Sequence, residues 1–311
     1  MSELRTLAAR FPHKIQLGLV GVAWLALFHW LGNSTFGYVA TPSLFRWVYP
    51  LYDANPDDGI GLLAPLVTLW LIYHHRDRLN RITPEPWAPA LALVAVGLIL
   101  HLVGYRVQQG RISLAGCIVG FFGLTGMLWG REWMRQTRYP FALLAFCIPV
   151  SVYLAPFTFH LRVFVARVAS SFCIDVLQMH LLRRGTEVFS MTASGLPRFQ
   201  FEVAAACSGI RSLTAVMLLT LVYGYLFFES PTRRLVLFIA APLLAVVGNI
   251  IRLITVFVVG EALGQKAGAT IETGFGFVTF CGVTVGGVLL LGRFLRERAP
   301  EPVSQPATLP E

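Results

Sequence analysis

Five side chains between residues 207 and 272 have types and spacings that could do chemistry. In FEVAAACSGIRSL, Cys207 stands in the first turns of an apolar segment. A thiol near a helix N-terminus meets the positive end of the dipole and unpaired backbone N–H groups, which favour the thiolate and make it a nucleophile. Arg211 follows four residues on, on the same helical face, where its charge supports the thiolate further. In VVGNIIRLITVFVVG, Asn249 and Arg252 are three residues apart and share a face. An arginine inside an apolar span costs about 2.5 to 3.5 kcal/mol on insertion scales, so it faces a cavity or a partner when it is kept. Glu272 opens ATIETGFGFVTF, where a carboxylate has the option of pairing with Arg252. Each residue also has a plainer reading: Cys207 as a small packing residue beside Gly209, Arg252 as a snorkelling anchor, and Glu272 as an exposed carboxylate at a helix N-terminus.

These residues need elements to hold them, and the composition says which kind. The 311 residues are 56% hydrophobic and 13% charged, too apolar for a soluble interior to hide. A hydrocarbon core about 30 Å thick takes roughly 20 apolar residues per helical crossing. Windows of that kind fall near 15–32, 59–75, 87–104, 112–130, 139–157, 205–228, 235–261 and 270–292. The fold class is therefore all-α, a polytopic transmembrane helix bundle of about eight spans, seven if the 59–75 window fails. The formal charge of +9 is mostly arginine in short loops, a topology signal rather than a nucleic-acid surface. Arg5, Arg10 and Lys14, then Arg76, Arg78 and Arg81, Arg131, Arg135 and Arg138, Arg233 and Arg234, and Arg293, Arg296 and Arg298 fall on one side. The other side holds Arg46, Arg106, Arg111 and Lys266. Both termini are thus expected in the cytoplasm, and counting about 27 Å of helix from Arg234 puts Arg252 near the outer boundary, level with Cys207.

The connection from 158 to 204 should lie outside. FHLRVFVARVASSFCIDVLQMHLL alternates at helical spacing and predicts an amphipathic interfacial helix, and TEVFSMTASGLPRFQFEV predicts a small hairpin about Gly195-Leu196-Pro197 before the sixth span. Five cysteines without pairing or CxxC spacing imply neither a disulfide framework nor a zinc site. No metal and no organic cofactor is expected. The expected divisions are four N-terminal spans over 1–138, a core over 139–292, and a polar cytoplasmic tail over 293–311.

The strings ACSGIRSL, NIIRL and Gly276-x-x-x-Phe280 together resemble the exosortase/archaeosortase family of membrane transpeptidases, over roughly residues 139–292. The resemblance implies Cys207 as nucleophile and Arg252 as its basic partner, stabilising the thiolate or an oxyanion. It implies as substrates exported proteins with a C-terminal sorting tail, made of a recognition motif, a transmembrane helix and a basic end (the PEP-CTERM arrangement). The setting would be a bacterial inner membrane, with the site at the outer face. The family's third residue is a histidine four positions before the glycine; here that register falls on Glu272, and no histidine follows His180. His160 and His180, in the outer segment, are the other candidates for that role. The family often carries an acidic residue where this chain has Ala205. The sequence identifies no substrate-binding residue. The rivals are a non-catalytic relative that binds sorting tails or an envelope-assembly partner, and a transporter, which would instead place ionisable groups near the midplane.

Overall fold

The computed structural model describes residues 14–32, 41–54, 56–191, 197–202 and 210–295. They form α1 (Lys14–Trp30), α2 (Leu44–Ala54), α3 (Leu63–His74), α4 (Leu91–Arg106), α5 (Gly110–Trp129), α6 (Arg131–Leu143) and α7 (Ser151–Asp175). Strands β1 (Leu181–Arg184), β2 (Glu187–Met191) and β3 (Pro197–Glu202) follow. Then come α8 (Ile210–Phe227), α9 (Pro231–Leu263), α10 (Gln265–Thr270), a π-helical turn (Ile271–Phe275) and α11 (Gly276–Leu295). Among the described residues, Ala88–Arg106, Gly110–Trp129, Pro231–Leu263 and Val278–Leu295 are long and apolar enough to cross a membrane, and Ile15–Trp30 and Ser212–Phe227 are shorter apolar helices. The protein is an all-α integral membrane bundle carrying one small sheet.

Two compact units divide the chain: Met1–Arg162 with Ala204–Leu218, and Val163–Val203 with Leu219–Glu311. In the first, α4 and α5 approach backbone to backbone. A Cβ on Gly97 would lie 2.7 Å from the Gly116 carbonyl oxygen and from the Gly120 Cα, so glycine at these positions sets the spacing. The Trp24 indole of α1 donates to the Cys117 carbonyl at 3.0 Å and packs over Gly120.

The fifth apolar window is placed differently from the 139–157 read in the sequence. Gly130, at φ +93°, reverses the chain after α5. α6 and the 3-10 turn Leu144–Cys147 then retrace α5 to its far end, where Arg111 donates to the Pro149 carbonyl at 2.5 Å. This helix begins at Arg131 because its charged residues all lie on its exposed side, while Trp133, Met134, Thr137 and Phe141 are buried. The 3-10 turn ends at Cys147, and α7 starts at Ser151, just past Pro149.

The start of α7 is capped from a distant 3-10 helix, Pro56–Leu62. Asp58 Oδ1 accepts from the backbone N–H groups of Val150 and Ser151, each at 3.1 Å, and Oδ2 accepts from the Ser151 hydroxyl at 2.5 Å. A carboxylate here satisfies donors that the helix leaves open and complements its dipole.

In the second unit, α7 buries Val165, Ala166, Ala169, Ser170 and Cys173 on one stripe and exposes Phe164 and Phe172 beside Arg167 and Ser171; it ends at Asp175, so the helix read from the sequence to Leu182 is shorter at this end and less sharply two-faced. The expected hairpin is part of a three-stranded antiparallel sheet ordered β1-β2-β3. The additional strand, Leu181–Arg184, joins β2 through a tight turn in which Gly185 sits at φ +64°. Residues 192–196, with the Gly-Leu step of the turn read from the sequence, lie outside the described residues. Paired residues Val188 and Phe201, and Ser190 and Phe199, present one buried face.

Replacing Asp58 with Ala should lower the stability of the detergent-solubilised protein by about 1 to 2 kcal/mol, the range of a lost charged cap, while Asp58→Asn should recover part of it. Thermal unfolding of the purified protein measures both.

Candidate functional site

α9 shows on which side Arg252 lies. Leu237, Ala241, Ala245, Gly248, Asn249, Arg252, Val256 and Gly260 are buried, at helical spacing. Leu235, Ile239, Leu243, Val247 and Ile251 form the opposite, exposed stripe, with Leu243 at 68%. Arg252 is 8% exposed and Asn249 3%, both on the stripe that packs against α11. Arg252 is therefore no snorkelling anchor on the lipid face.

Its guanidinium is held by main chain. Arg252 Nη2 donates to the carbonyl oxygen of Glu272 at 2.7 Å. Glu272 lies in the π-helical turn that opens the last helix, where the Gly276 N–H reaches back to Ile271. Such a turn departs from the ordinary i→i+4 ladder and recurs at functional sites. This contact between Arg252 and Glu272 is made through the backbone, in a bond that does not require a carboxylate at 272. Arg252 Nε is buried and makes no hydrogen bond among the described residues.

Gly276 makes room for this arrangement. A Cβ there would fall 2.9 Å from Arg252 Nε, 3.2 Å from its Cγ and 2.7 Å from the Ile271 carbonyl oxygen. Phe280, 2% exposed, fills the next space along the interface. It lies where a Cβ on Gly248 would be 3.1 Å away, and Thr284 Cγ2 would be 2.8 Å away. The Gly-x-x-x-Phe spacing therefore has a packing cause: Gly276 admits the guanidinium stem, and Phe280 closes the interface behind it against Gly248. Sequence reading missed Gly248, although its place directly before Asn249 was the available signal.

Above Arg252 the sheet is clamped onto the end of α9. Phe201 enters a notch between Gly260 and Gly268, where added Cβ atoms would lie 2.7 and 2.4 Å from its ring. Phe199 stacks on Phe257 with ring centroids 6.3 Å apart. Glu261 accepts from Arg198 at 2.7 Å and from the Ser190 hydroxyl. The Gln265 amide bonds both main-chain groups of Gln200, at 2.8 and 2.9 Å, closing the free edge of β3. Residue types alone do not signal this clamp, since Glu261 and Gln265 read as ordinary helix-end polar residues.

Cys207 lies outside the described residues, and of Arg211 only the backbone, in the first turn of α8, is described. Further along α8, Leu213, Thr214 and Met217 line a cavity of about 230 Å³ whose other wall includes Asp58, Ile60 and Phe146. His160 is exposed and its Nδ1 lies 3.0 Å from the Pro156 carbonyl oxygen; His180 is exposed beside β1. Cys117, Cys147 and Cys173 are buried and unpaired. No group of three His, Cys, Asp or Glu side chains able to hold a metal occurs among the described residues.

The sequence model of one protein family, described as Transmembrane exosortase (Exosortase_EpsH), matches residues 52–289. The match covers most of the chain, and the protein belongs to that family. No curated protein and no solved structure matches it.

Gly276→Val should displace Arg252 and cost about 1 to 3 kcal/mol, the usual penalty for overfilling a packed interface, whereas Gly274→Val, at a position open on every side, should cost much less. Comparing the two thermal midpoints checks this.

Proposed function

We propose that this exosortase-family protein is a cysteine transpeptidase or endopeptidase that acts on exported proteins at a C-terminal sorting tail. The observation that carries the reading is Arg252: a buried guanidinium, fixed by a main-chain carbonyl, on the interior stripe of an apolar helix. A cation held in this way costs free energy to bury and suits an anion that forms beside it. Chain connectivity supports Cys207 as the source of that anion. Phe201 is docked at Gly260, about 12 Å of helix beyond Arg252. From Glu202 the five residues to Cys207 span at most about 18 Å.

In this reading the Cys207 thiolate attacks the scissile carbonyl, and the tetrahedral oxyanion is stabilised by Arg252. The C–N bond breaks as the amine takes a proton, leaving a thioester on Cys207. An amine, a hydroxyl or water then attacks the thioester and restores the thiol. Arg211 supports the thiolate, and Asn249 helps to pack the face of Arg252. Glu272 is the candidate proton donor by its register, with His160 and His180 as the alternatives. No metal or organic cofactor enters the reaction. Residues 139–292 carry the chemistry on the scaffold of 1–138, with 293–311 as a cytoplasmic tail. The protein would cross a bacterial inner membrane many times, with both termini in the cytoplasm and the site at the outer face.

One observation favours the non-catalytic alternative, a relative that binds sorting tails or an envelope-assembly partner: a carboxylate occupies the register where the family resemblance places a histidine. The readings part in cells that co-express a reporter carrying a sorting tail. Catalysis predicts a shortened reporter with the wild type, full-length reporter with Cys207→Ala, and at least about a hundredfold slower processing with Arg252→Gln. If Glu272 is the proton donor, Glu272→Gln should accumulate substrate without affecting reaction of Cys207 with small alkylating agents. Equal processing by wild type and Cys207→Ala, or none by the wild type across a panel of tails, would favour the binding protein.

A further inference from the structure

Where α5 turns into α6, a cavity of about 650 Å³ carries Trp87, Trp129, Arg131, Arg135, Glu85 and Glu132 on its walls. Trp87 directly precedes the apolar helix Ala88–Arg106, and Trp129 ends the apolar helix Gly110–Trp129. The cavity therefore lies at the level where hydrocarbon gives way to headgroups, the zone in which tryptophan concentrates. Its charges are balanced but separated. Arg135 and Glu132 pair at 3.0 Å. Arg131 stands 5.9 Å from the Trp87 ring, and among the described residues neither the Arg131 nor the Glu85 side chain has a hydrogen bond or an ion pair. Gly130 brings the two walls together, since a Cβ there would lie 2.2 Å from the Glu85 carbonyl oxygen.

A second cavity, of about 340 Å³, continues along the same helices. It is almost wholly apolar, with Leu93, Phe122, Phe141, Ala142 and Ala145 on its walls and Arg138 as its one charged residue. The two cavities share faces. On α6 and the turn after it, Arg135, Arg138, Ala142 and Ala145 follow one another at three- and four-residue steps; on α5, Ala115, Val119, Phe122 and Trp129 do so at steps of four, three and seven. A charged, indole-bearing chamber and an apolar groove thus lie one after the other along the same helix faces.

We propose that α4, α5 and α6 form a binding site for one phospholipid whose headgroup carries both a phosphate and an ammonium, with the headgroup in the larger cavity and an acyl chain in the apolar groove. Arg131 and Arg135 face the phosphate with charge-assisted donors. Glu85 takes the ammonium, with the faces of Trp87 and Trp129 beside it. A headgroup with negative charge alone would leave the Glu85 carboxylate unanswered, whereas a zwitterion matches both signs. The site is independent of the chemistry proposed for Cys207.

Native mass spectrometry of the full-length protein in detergent tests this, with phosphatidylethanolamine, phosphatidylglycerol and soluble glycerophosphoethanolamine each titrated in. Phosphatidylethanolamine should bind most tightly and the chainless compound only weakly. Arg131→Ala and Glu85→Gln should each weaken phosphatidylethanolamine roughly tenfold, the loss of one charge-assisted contact. Glu85→Gln should leave phosphatidylglycerol unchanged, and Ala142→Trp should block the groove and weaken the lipid alone. Both headgroup substitutions are at exposed positions, so the fold should survive them, as an unchanged thermal midpoint would verify. The proposal is overturned if phosphatidylglycerol binds as tightly as phosphatidylethanolamine, if glycerophosphoethanolamine binds as tightly as the lipid, or if no substitution changes lipid retention.

Discussion

A guanidinium buried inside an apolar helix must be given hydrogen-bond acceptors by its surroundings, and the second unit is arranged to do so. The acceptor seen for Arg252 is the carbonyl oxygen of Glu272, in a π-helical turn that departs from the regular ladder at that point. For the bond to form, α11 must come close to α9. Gly276 allows that approach at the guanidinium, and Gly248 allows it where Phe280 packs. Losing the bond would leave a buried charge or a buried carbonyl unsatisfied, at a cost on the order of 1 to 3 kcal/mol or more. A charged residue, two glycines and a phenylalanine on two helices thus form a single packing solution, which explains why they occur together as a motif.

The sheet does a related job at the end of α9. Beyond Arg252 the helix continues for about 17 Å to Leu263, and there its buried face meets the sheet through Phe199, Phe201 and the ion pair Arg198–Glu261. A polar clamp of that kind suits headgroups or water better than hydrocarbon, where its charges would be costly to bury. In the first unit, the carboxylate of Asp58 holds the start of α7 in the same manner, by satisfying donors that a helix terminus leaves open.

Much of this was legible in the sequence, and the parts that were not have identifiable physical causes. Long apolar runs gave α4, α5, α9 and α11, because burial in lipid demands them. The isolated arginine singled out α9 as a candidate for the site for the same reason. α6 was harder to read: Arg131, Arg135 and Arg138 look like a loop, yet they share one side of a helix whose other side is buried. β1, with the string LLRR, reads as a continuation of the amphipathic helix before it, and only Gly185 signals the turn that makes it a strand. Main-chain acceptors leave no trace in residue identity, so Glu272 could be read from sequence only for its carboxylate.

The proposed chemistry rests on Arg252 acting on Cys207, and the most direct measurement is the pH dependence of Cys207 alkylation in membranes, followed by peptide mass, in the wild type and in Arg252→Gln. An activated thiol predicts a midpoint well below the free-thiol value of about 8.5, rising by about one unit or more when the guanidinium is removed. Superimposable profiles at the free-thiol midpoint in both proteins would contradict it.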